Sequence, residues 1–246
     1  MQANIAHIEH VTDELWAGNL SSIIYFAGCD FNCPNCNSTD MIPSNEEFVM
    51  DLKDVKREIK EHIGTIKALV FSGGEPCLQR QSLITLATFA KDAGLKTALI
   101  TNGSKTEVIR SLITLNLLDN ITFDMKAPLE EDFFQKATKS STFFKSTKSL
   151  MDDIKSTLKL VKRNHNQIQI VFTTTITPTL VSRKEDIIKI AELIEDIECI
   201  WELKKFNPKN VQNKKFSSIK PPSSEFLDNL KETIQKRFPN IRIFTR

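Results

Sequence analysis

The chain has 246 residues, 40% of them hydrophobic and 26% charged, with a net charge of +2 at pH 7. This is the composition of a globular protein that buries a substantial core, and the near-neutral charge argues against bulk electrostatic binding to nucleic acid or membranes. No stretch approaches the roughly 18 apolar residues that span a bilayer, and the polar first residues are unlike a signal peptide. We therefore expect a cytoplasmic protein.

Strand-like and helix-like runs alternate along almost the whole chain. The predicted strands are short apolar runs at 22–27, 66–71, 97–101, 121–125, 168–176 and 199–203, with an edge strand at 241–244. The predicted helices have apolar residues at helical spacing and lie at 52–63, 79–93, 108–113, 150–161, 187–194 and 225–236. Asp51 is the expected N-cap of the first helix, and Gly64 its end.

This alternation favours an α/β fold with a parallel sheet and right-handed crossovers. Six β–α units are fewer than the eight of a closed barrel, so the pattern alone also leaves a doubly wound open sheet possible. We find no internal repeat and no domain boundary, and we expect a single domain over residues 1–246. In both folds, ligands bind in the loops that follow the carboxyl ends of the strands.

Three of the five cysteines lie in the loop after the first core strand. Cys29, Cys33 and Cys36 have the spacing C-x3-C-x2-C, which in a reducing compartment indicates metal binding rather than disulfides. Iron–sulfur clusters and zinc both use thiolates, and His10 or Cys77 could complete a zinc site. The spacing therefore predicts a metal centre and leaves zinc open. Three ligands leave one coordination position free, as a reactive centre requires.

The loop after the second core strand contains Ser-Gly-Gly-Glu-Pro. Gly73 and Gly74 would let a ligand approach the backbone closely, or would allow positive φ, and Glu75 suits an ammonium partner. A plain tight turn is the alternative interpretation of this loop.

Polar residues also follow the third and fourth strands. Asn102 lies in a Thr-Asn-Gly segment, and Asp124 and Lys126 flank Met125. The last two could form a simple ion pair, or Lys126 could meet a ligand carboxylate. Because these loops follow successive strands, they predict a common polar pocket.

The cysteine loop and the Gly-Gly-Glu-Pro loop together resemble the signature of the radical S-adenosylmethionine (SAM) superfamily, over residues 21–126. The segments GCDFNCPNCN, FSGGEPCLQ, TNG and FDMKAP resemble the activating enzymes of glycyl-radical proteins. The most similar of these are the activases of anaerobic ribonucleotide reductase and pyruvate formate-lyase. The resemblance implies a partial (β/α)6 TIM-like barrel, with further β–α units over 145–246.

The resemblance also implies the role of each site residue. Cys29, Cys33 and Cys36 would ligate one [4Fe–4S] cluster, whose fourth iron binds the amino and carboxylate groups of SAM. The residues expected at SAM are Asn35, Cys36 and Asn37 beside adenine, Gly73, Gly74 and Glu75 at the amino group, and Asn102, Asp124 and Lys126 at the carboxylate. No side chain is expected to be catalytic beyond the cluster and SAM. The family usually has an aromatic residue where this chain has Asn35, so another residue such as Phe31 would have to stack on adenine.

The implied reaction needs a one-electron donor such as flavodoxin or ferredoxin. SAM is then cleaved to methionine and a 5′-deoxyadenosyl radical, which takes hydrogen from a glycine of a partner enzyme, expected to be anaerobic ribonucleotide reductase. One alternative is a radical SAM enzyme that makes 7-carboxy-7-deazaguanine; those enzymes tend to have Asp-Thr after the third cysteine, whereas this chain has Asn37-Ser38-Thr39. Another is a zinc-binding module without catalysis.

Three further groups of residues lie outside these motifs: a lysine-rich stretch, two cysteines and four phenylalanines. The lysine-rich residues 204–220 predict a solvated loop, or alternatively a lid or a docking surface for a partner protein. Cys77 and Cys199 are expected to be small buried residues. The phenylalanines at 133, 134, 143 and 144 predict core filling, with a docking patch as the alternative.

Overall fold

The computed structural model describes residues 1–43, 46–140 and 145–246. The strands are β1 (Gln2–Thr12), β2 (Ser21–Phe26), β3 (Val49–Asp51), β4 (Ala68–Gly73), β5 (Lys96–Thr101), β6 (Asn120–Asp124), β7 (Gln169–Ile176), β8 (Ile200–Lys205) and β9 (Arg242–Thr245). The helices are α1 (Leu52–Lys60), α2 (Arg80–Asp92), α3 (Thr106–Thr114), α4 (Glu131–Thr138), α5 (Thr147–Arg163), α6 (Lys184–Ile194), α7 (Lys214–Ser217) and α8 (Ser224–Arg237).

Every predicted strand and helix is present, with ends that differ by a few residues. The first predicted helix is α1, and the Asp51 side chain caps it by accepting a hydrogen bond from the Lys53 N–H at 2.8 Å. Sequence analysis missed β1, β3, α4 and α7. Two of these have only three or four residues, too few to show a period, and β1 has only two buried residues, Ala3 and Ile5, among eleven.

The chain divides into two compact units. The first comprises Met1–Asp30, Asp40–Thr101 and Lys105–Thr122. Its strand order is β3-β1-β2-β4-β5-β6, in which β1 is antiparallel to both neighbours and β2, β4 and β5 are parallel. The register pairs Phe26 with Gly73, so the carboxyl ends of β2 and β4 meet at the same edge.

The second unit comprises Phe31–Thr39, Asn102–Ser104 and Phe123–Arg246, with the strand order β6-β7-β8-β9. The strands β7, β8 and β9 are parallel. Trp201 at the centre is fully buried, and its indole N–H donates a hydrogen bond to the Thr174 hydroxyl at 3.1 Å. Such a bond satisfies the polar atom of a buried tryptophan.

Several predictions about burial have outcomes in the structure. Cys77 and Cys199 are buried, as expected, and so is Phe134, whereas Phe133 is half-buried. The other two phenylalanines of that group, at 143 and 144, lie outside the described residues. None of the helices in the described ranges is both long and apolar enough to cross a membrane. The expectation of a single domain over residues 1–246 stays a prediction.

Candidate functional site

In the first unit, the Gly-Gly-Glu-Pro loop lies against the start of the cysteine loop. The Gly74 N–H donates to the Phe26 carbonyl and the Glu75 N–H to the Gly28 carbonyl, each at 2.8 Å. A Cβ atom added to Gly74 would lie 2.1 Å from the Gly28 oxygen and 3.3 Å from the Cβ of Cys29. The close approach that these glycines allow is therefore to the chain itself, and it holds the two loops together.

Gly73 confirms the expectation of positive φ in this loop, since its φ is +115°. A Cβ atom there would lie 2.2 Å from the Phe26 carbonyl oxygen. Both the backbone conformation and the space therefore require glycine.

Glu75 is fully buried beside this turn. Its Oε1 accepts hydrogen bonds from the Cys77 N–H at 3.0 Å and from the Thr101 hydroxyl at 2.8 Å. Burial, followed by the charge of Glu75, raises the pKa of the Cys77 thiol well above its usual value, so this cysteine is neutral. The bonds fix the orientation of the Glu75 carboxylate at the end of β4.

An ion pair that sequence analysis missed lies next to Cys29. The Lys105 ammonium is 2.8 Å from the Asp30 carboxylate, and both side chains are largely buried. The two residues are 75 positions apart, and neither belongs to a recognisable motif, so no local signal pointed to the pair.

In the second unit, the remainder of the cysteine loop carries Cys33 and Cys36. The Cys36 N–H donates to the Cys33 carbonyl at 3.1 Å, and the Ser38 N–H donates to the Cys36 Sγ at 3.4 Å. Burial raises the pKa of the Cys33 thiol to about 12, and Lys126 partly opposes this rise. Hydrogen bonds to ligand sulfur are one of the means by which proteins tune iron–sulfur clusters.

Asn35 and Asn37 differ in their surroundings. The Asn35 amide donates a 2.8 Å hydrogen bond to the hydroxyl of Thr177, directly after β7. Asn37 is exposed, and its side-chain oxygen accepts a 3.4 Å bond from the Ser38 hydroxyl. Thr177 was not predicted as a site residue, because nothing in the sequence connects it to the cysteine loop.

Asn102, Asp124 and Lys126 line one pocket of the second unit. Asp124 and Lys126 form the ion pair that the sequence suggested. Burial lowers the pKa of Lys126, but the Asp124 carboxylate and the Cys33 sulfur raise it more, so the net shift is upward and the ammonium stays charged. The Asn102 side-chain oxygen accepts the Ser104 N–H at 2.9 Å, which fixes a turn at the pocket wall.

Apolar residues complete this pocket, among them Phe31, Phe134 and Ile154. Phe31 is 2% exposed, and its ring meets that of Phe134 edge-on, with the centroids 5.8 Å apart. Phe31, the residue suggested for stacking on adenine, is thus held in the wall of the pocket.

Two observations indicate that these residues suit a cationic or metal-bound group. The Oδ1 atom of Asp124 is buried and has no hydrogen-bond partner among the described residues, although a buried polar atom is normally paired. The thiol groups of Cys29, Cys33 and Cys36 are of the type that iron–sulfur clusters use as ligands. In the described part of the chain no three His, Cys, Asp or Glu side chains converge on a single ion, and a [4Fe–4S] cluster does not need that because each cysteine binds a different iron.

Two curated relatives match almost the whole chain. One is a "Putative glycyl-radical enzyme activating enzyme" of Methanocaldococcus jannaschii, 26% identical over 245 residues, covering 100% of this chain and 97% of the relative. The other is a "7-carboxy-7-deazaguanine synthase" of the same organism, 28% identical over 239 residues, covering 89% of this chain and 91% of the relative.

Among solved structures, Streptococcus suis SuiB bound to S-adenosylmethionine superposes with a TM-score of 0.64 at 15% identity. The match covers 91% of this chain, which spans about half of the SuiB chain, 51%. This likeness confirms the predicted partial TIM-type barrel. The alternative prediction, a doubly wound open sheet, is therefore wrong.

The model of the "Radical SAM superfamily" matches residues 23–157, more than half of the chain. The matched region begins in β2 and contains the cysteine loop, the Gly-Gly-Glu-Pro loop and the Asp124–Lys126 pair. The chain therefore belongs to the radical SAM superfamily, and its cofactors are a [4Fe–4S] cluster and S-adenosylmethionine.

Proposed function

We propose that this radical SAM enzyme is a glycyl-radical activating enzyme. The observation that carries the proposal is the match to the Methanocaldococcus jannaschii relative of that name, which runs over essentially the full length of both chains. The segment Asp124-Met125-Lys126-Ala127-Pro128 adds support, because it resembles the activases. The partner is then a glycyl-radical enzyme, and we propose anaerobic ribonucleotide reductase.

In this proposal Cys29, Cys33 and Cys36 would hold the [4Fe–4S] cluster through their sulfur atoms. The bound cofactors supply one-electron cleavage of SAM, which yields a radical strong enough to take hydrogen from a glycine Cα. The hydrogen bond that the Ser38 N–H donates to the Cys36 sulfur, at 3.4 Å, would stabilise the reduced cluster relative to the oxidised one, because it stabilises negative charge on sulfur.

The polar residues would bind the amino-acid end of SAM. Lys126, which forms an ion pair with Asp124, would supply a positive charge to the carboxylate. The Oδ1 atom of Asp124 remains available to accept a hydrogen bond from the ligand. The amino group would lie at the Gly73–Gly74 turn, beside the buried carboxyl group of Glu75. Asn102 would lie near the carboxylate, and Asn35, Cys36 and Asn37 would lie beside adenine.

A second candidate function is the synthesis of 7-carboxy-7-deazaguanine, which the relative at 28% identity favours. The segment Asn37-Ser38-Thr39 speaks against it, because those enzymes tend to have Asp-Thr directly after the third cysteine. Zinc binding without catalysis loses its support, because the family to which the chain belongs uses an iron–sulfur cluster.

The ligand assignment is tested by anaerobic reconstitution with iron and sulfide. The wild type should bind about four irons and bleach near 400 nm when dithionite is added. Cys29→Ala, Cys33→Ala and Cys36→Ala should each lose most of this absorbance. The matched control is the double variant Cys77→Ala/Cys199→Ala, which removes two buried cysteines from elsewhere and should keep the wild-type iron content. Equal loss of iron in the control would refute the assignment.

The choice of substrate is tested with the reduced enzyme and SAM. Incubation with anaerobic ribonucleotide reductase should give a glycyl radical doublet by electron paramagnetic resonance, together with 5′-deoxyadenosine. A reductase whose radical-bearing glycine is replaced by alanine should give no doublet. Formation of 7-carboxy-7-deazaguanine by the reduced enzyme, with no glycyl radical on the reductase, would favour the synthase instead.

A further inference from the structure

Residues 204–220, here called the basic segment, carry six lysines and no acidic residue: Lys204, Lys205, Lys209, Lys214, Lys215 and Lys220. The net charge of the whole chain is only +2, so the rest of the chain is net acidic. The basic segment therefore carries a charge of +6, whereas the rest of the chain has a net charge of −4. Such a patch attracts acidic partners and raises their rate of association.

Most of these lysines are available to a partner. Lys204 is 3.5 Å from Glu202, whereas the other five form no ion pair within the described ranges and are all exposed. A charge run whose lysines are compensated by neighbouring carboxylates would be an ordinary solvated surface. The five exposed ammonium groups of the basic segment are therefore available to bind another molecule.

The basic segment is anchored to the protein. Three apolar residues of the segment are buried: Phe206, Val211 and Phe216, with exposed fractions of 1%, 6% and 7%. The side chain of Asn213 caps the short helix α7 by accepting the Lys215 N–H at 3.1 Å. The lysines therefore project from a fixed surface, which agrees with a docking surface better than with an unstructured loop.

The basic segment also begins close to the cysteine loop. In the parallel register of β7 and β8, Thr175 pairs with Lys204 and Ile176 with Lys205, about 4.8 Å apart between strands. Thr177 follows at once and holds the Asn35 amide at 2.8 Å. Lys204 and Lys205 thus lie on the strand next to β7, and the residue that follows β7 is hydrogen-bonded to Asn35, the residue before Cys36.

We propose that the basic segment is the docking surface for the one-electron donor, an acidic protein that carries a flavin or an iron–sulfur group. The inference rests on the proposed function, because only an enzyme that takes up electrons needs such a surface. One electron leaves the reduced flavin or iron–sulfur group of the donor and enters the [4Fe–4S] cluster; no atom is transferred to this chain. Electron transfer falls steeply with distance, which gives a reason for the charge to lie beside the cysteine loop.

The test compares two quintuple variants of the reconstituted enzyme. The first changes Lys205, Lys209, Lys214, Lys215 and Lys220 to Gln. The matched control changes Lys53, Lys60, Lys67, Lys96 and Lys159 to Gln; these five are equally exposed and likewise form no ion pair in the described part of the chain. Both variants have the same net charge. Circular dichroism and thermal unfolding verify that each is folded, and Lys214→Gln/Lys215→Gln serves as a smaller change.

The probes are a recombinant flavodoxin and a recombinant ferredoxin, both strongly acidic, and the main readout is their Kd by calorimetry. At low salt the wild type should bind at least one of them, and affinity should fall as salt rises. The segment variant should lose about tenfold or more in affinity, and the control less than about twofold, because only the first variant removes charges from the proposed interface. Equal losses in both variants, or binding that salt does not change, would overturn the proposal.

Two further measurements separate the possible failures. Photoreduced flavodoxin should reduce the cluster of the segment variant more slowly than that of the control, whereas dithionite should reduce both at the same rate. If dithionite-reduced wild type fails to cleave SAM, the proposed function fails, irrespective of docking. If it cleaves SAM but neither acidic protein prefers the wild type to the segment variant, the docking surface alone is refuted. Tight, lysine-dependent binding of an RNA probe in place of both proteins also refutes it.

Discussion

The side-chain amide of Asn35 donates a hydrogen bond to the hydroxyl of Thr177, 142 positions further along the chain. Asn35 stands where relatives of the resembled families usually have an aromatic residue. Here the side chain is directed to a polar partner in the second unit, and it ties the last part of the cysteine loop to the end of β7. What replaces the aromatic residue is thus a tether between the loop and the sheet.

A double-mutant cycle should measure this tether. Asn35→Ala and Thr177→Val should each destabilise the protein by about 1 kcal/mol, and the double variant should cost less than the sum, by about 0.5–1.5 kcal/mol. Urea denaturation gives these free energies, and hydrogen exchange should show faster exchange at residues 33–38. The variants Ser217→Ala and Gln212→Ala alter exposed positions and should cost less than about 0.5 kcal/mol each. Strict additivity would mean that the bond contributes nothing.

Gly74 should tolerate no side chain. In Gly74→Ala the new Cβ would clash with the Gly28 carbonyl, and the loops would have to separate, at a cost above about 3 kcal/mol. Gly94→Ala is the matched control, because a Cβ there meets no atom within 4 Å and only the φ of +75° opposes it. That strain should cost about 1 kcal/mol. Urea denaturation compares the two, and equal costs would contradict the structural explanation.

The Thr101 hydroxyl should stabilise the buried carboxylate of Glu75. Thr101→Val keeps the shape but removes the 2.8 Å hydrogen bond, so it should cost about 1.5–3 kcal/mol. Thr101→Ser keeps the hydroxyl and should cost less. The control Thr88→Val changes an exposed hydroxyl that bonds only within α2, to the Ile84 carbonyl, and should stay within about 0.5 kcal/mol. Chemical denaturation distinguishes these outcomes.

Asp119 should make stability depend on pH in the acid range. Burial raises the pKa of this carboxyl, but hydrogen bonds from Lys91 and from the Thr97 N–H lower it more, so the net shift is downward. A lowered pKa in the folded state adds stability above the unfolded value of about 4, and this stability is lost as the pH falls through the folded value. The difference in unfolding free energy between wild type and Asp119→Asn should therefore shrink below about pH 4. Lys91→Met should weaken this dependence, and a difference that grows on acidification would have the wrong sign.

Tyr25 should ionise at an unusually high pH. It is the only tyrosine of the chain, so its absorbance change near 295 nm is unambiguous. Burial first, and then the hydrogen bond to Glu9 at 3.0 Å with the charge of that residue, raise its pKa above the ordinary value of about 10. This contribution to stability is present below pH 10 and is lost as the pH rises. Glu9→Gln should lower the midpoint toward 10; a midpoint near 10 in the folded wild type would exclude the effect.

Periodicity predicted the elements well, because buried strands and amphipathic helices leave a local pattern. The helix predicted at 52–63 had a cap, an apolar stripe and a terminating glycine. The helix α1 begins as predicted, but it ends at Lys60, four residues before that glycine. The strand β1 has no comparable stripe: most of its residues are exposed or half-buried, and its pairing with β2 depends on residues 9 to 21 positions away. Such pairing is a property of the folded sheet and leaves little trace in the segment itself.

Some residues of the candidate site could likewise be identified from local sequence, and others could not. Loop positions after strands could be identified from sequence, and the Asp124–Lys126 pair could be suggested because its members are two residues apart on one strand end. The partners of Asn35 and Asp30 could not, since Thr177 and Lys105 are distant along the chain and depend on packing. Nor does sequence show that the space beside Gly74 is filled by the Gly28 carbonyl rather than by a ligand.

In the basic segment, the apolar anchors and the charges are different residues. Phe206, Val211 and Phe216 are buried, and the side chains of the lysines between them are exposed and form no ion pair in the described part of the chain. Substitutions at the lysines can thus alter the electrostatic field without disturbing the core. Choice of electron donor could then drift among related enzymes through surface charge alone, while the cysteine loop and its chemistry stay unchanged.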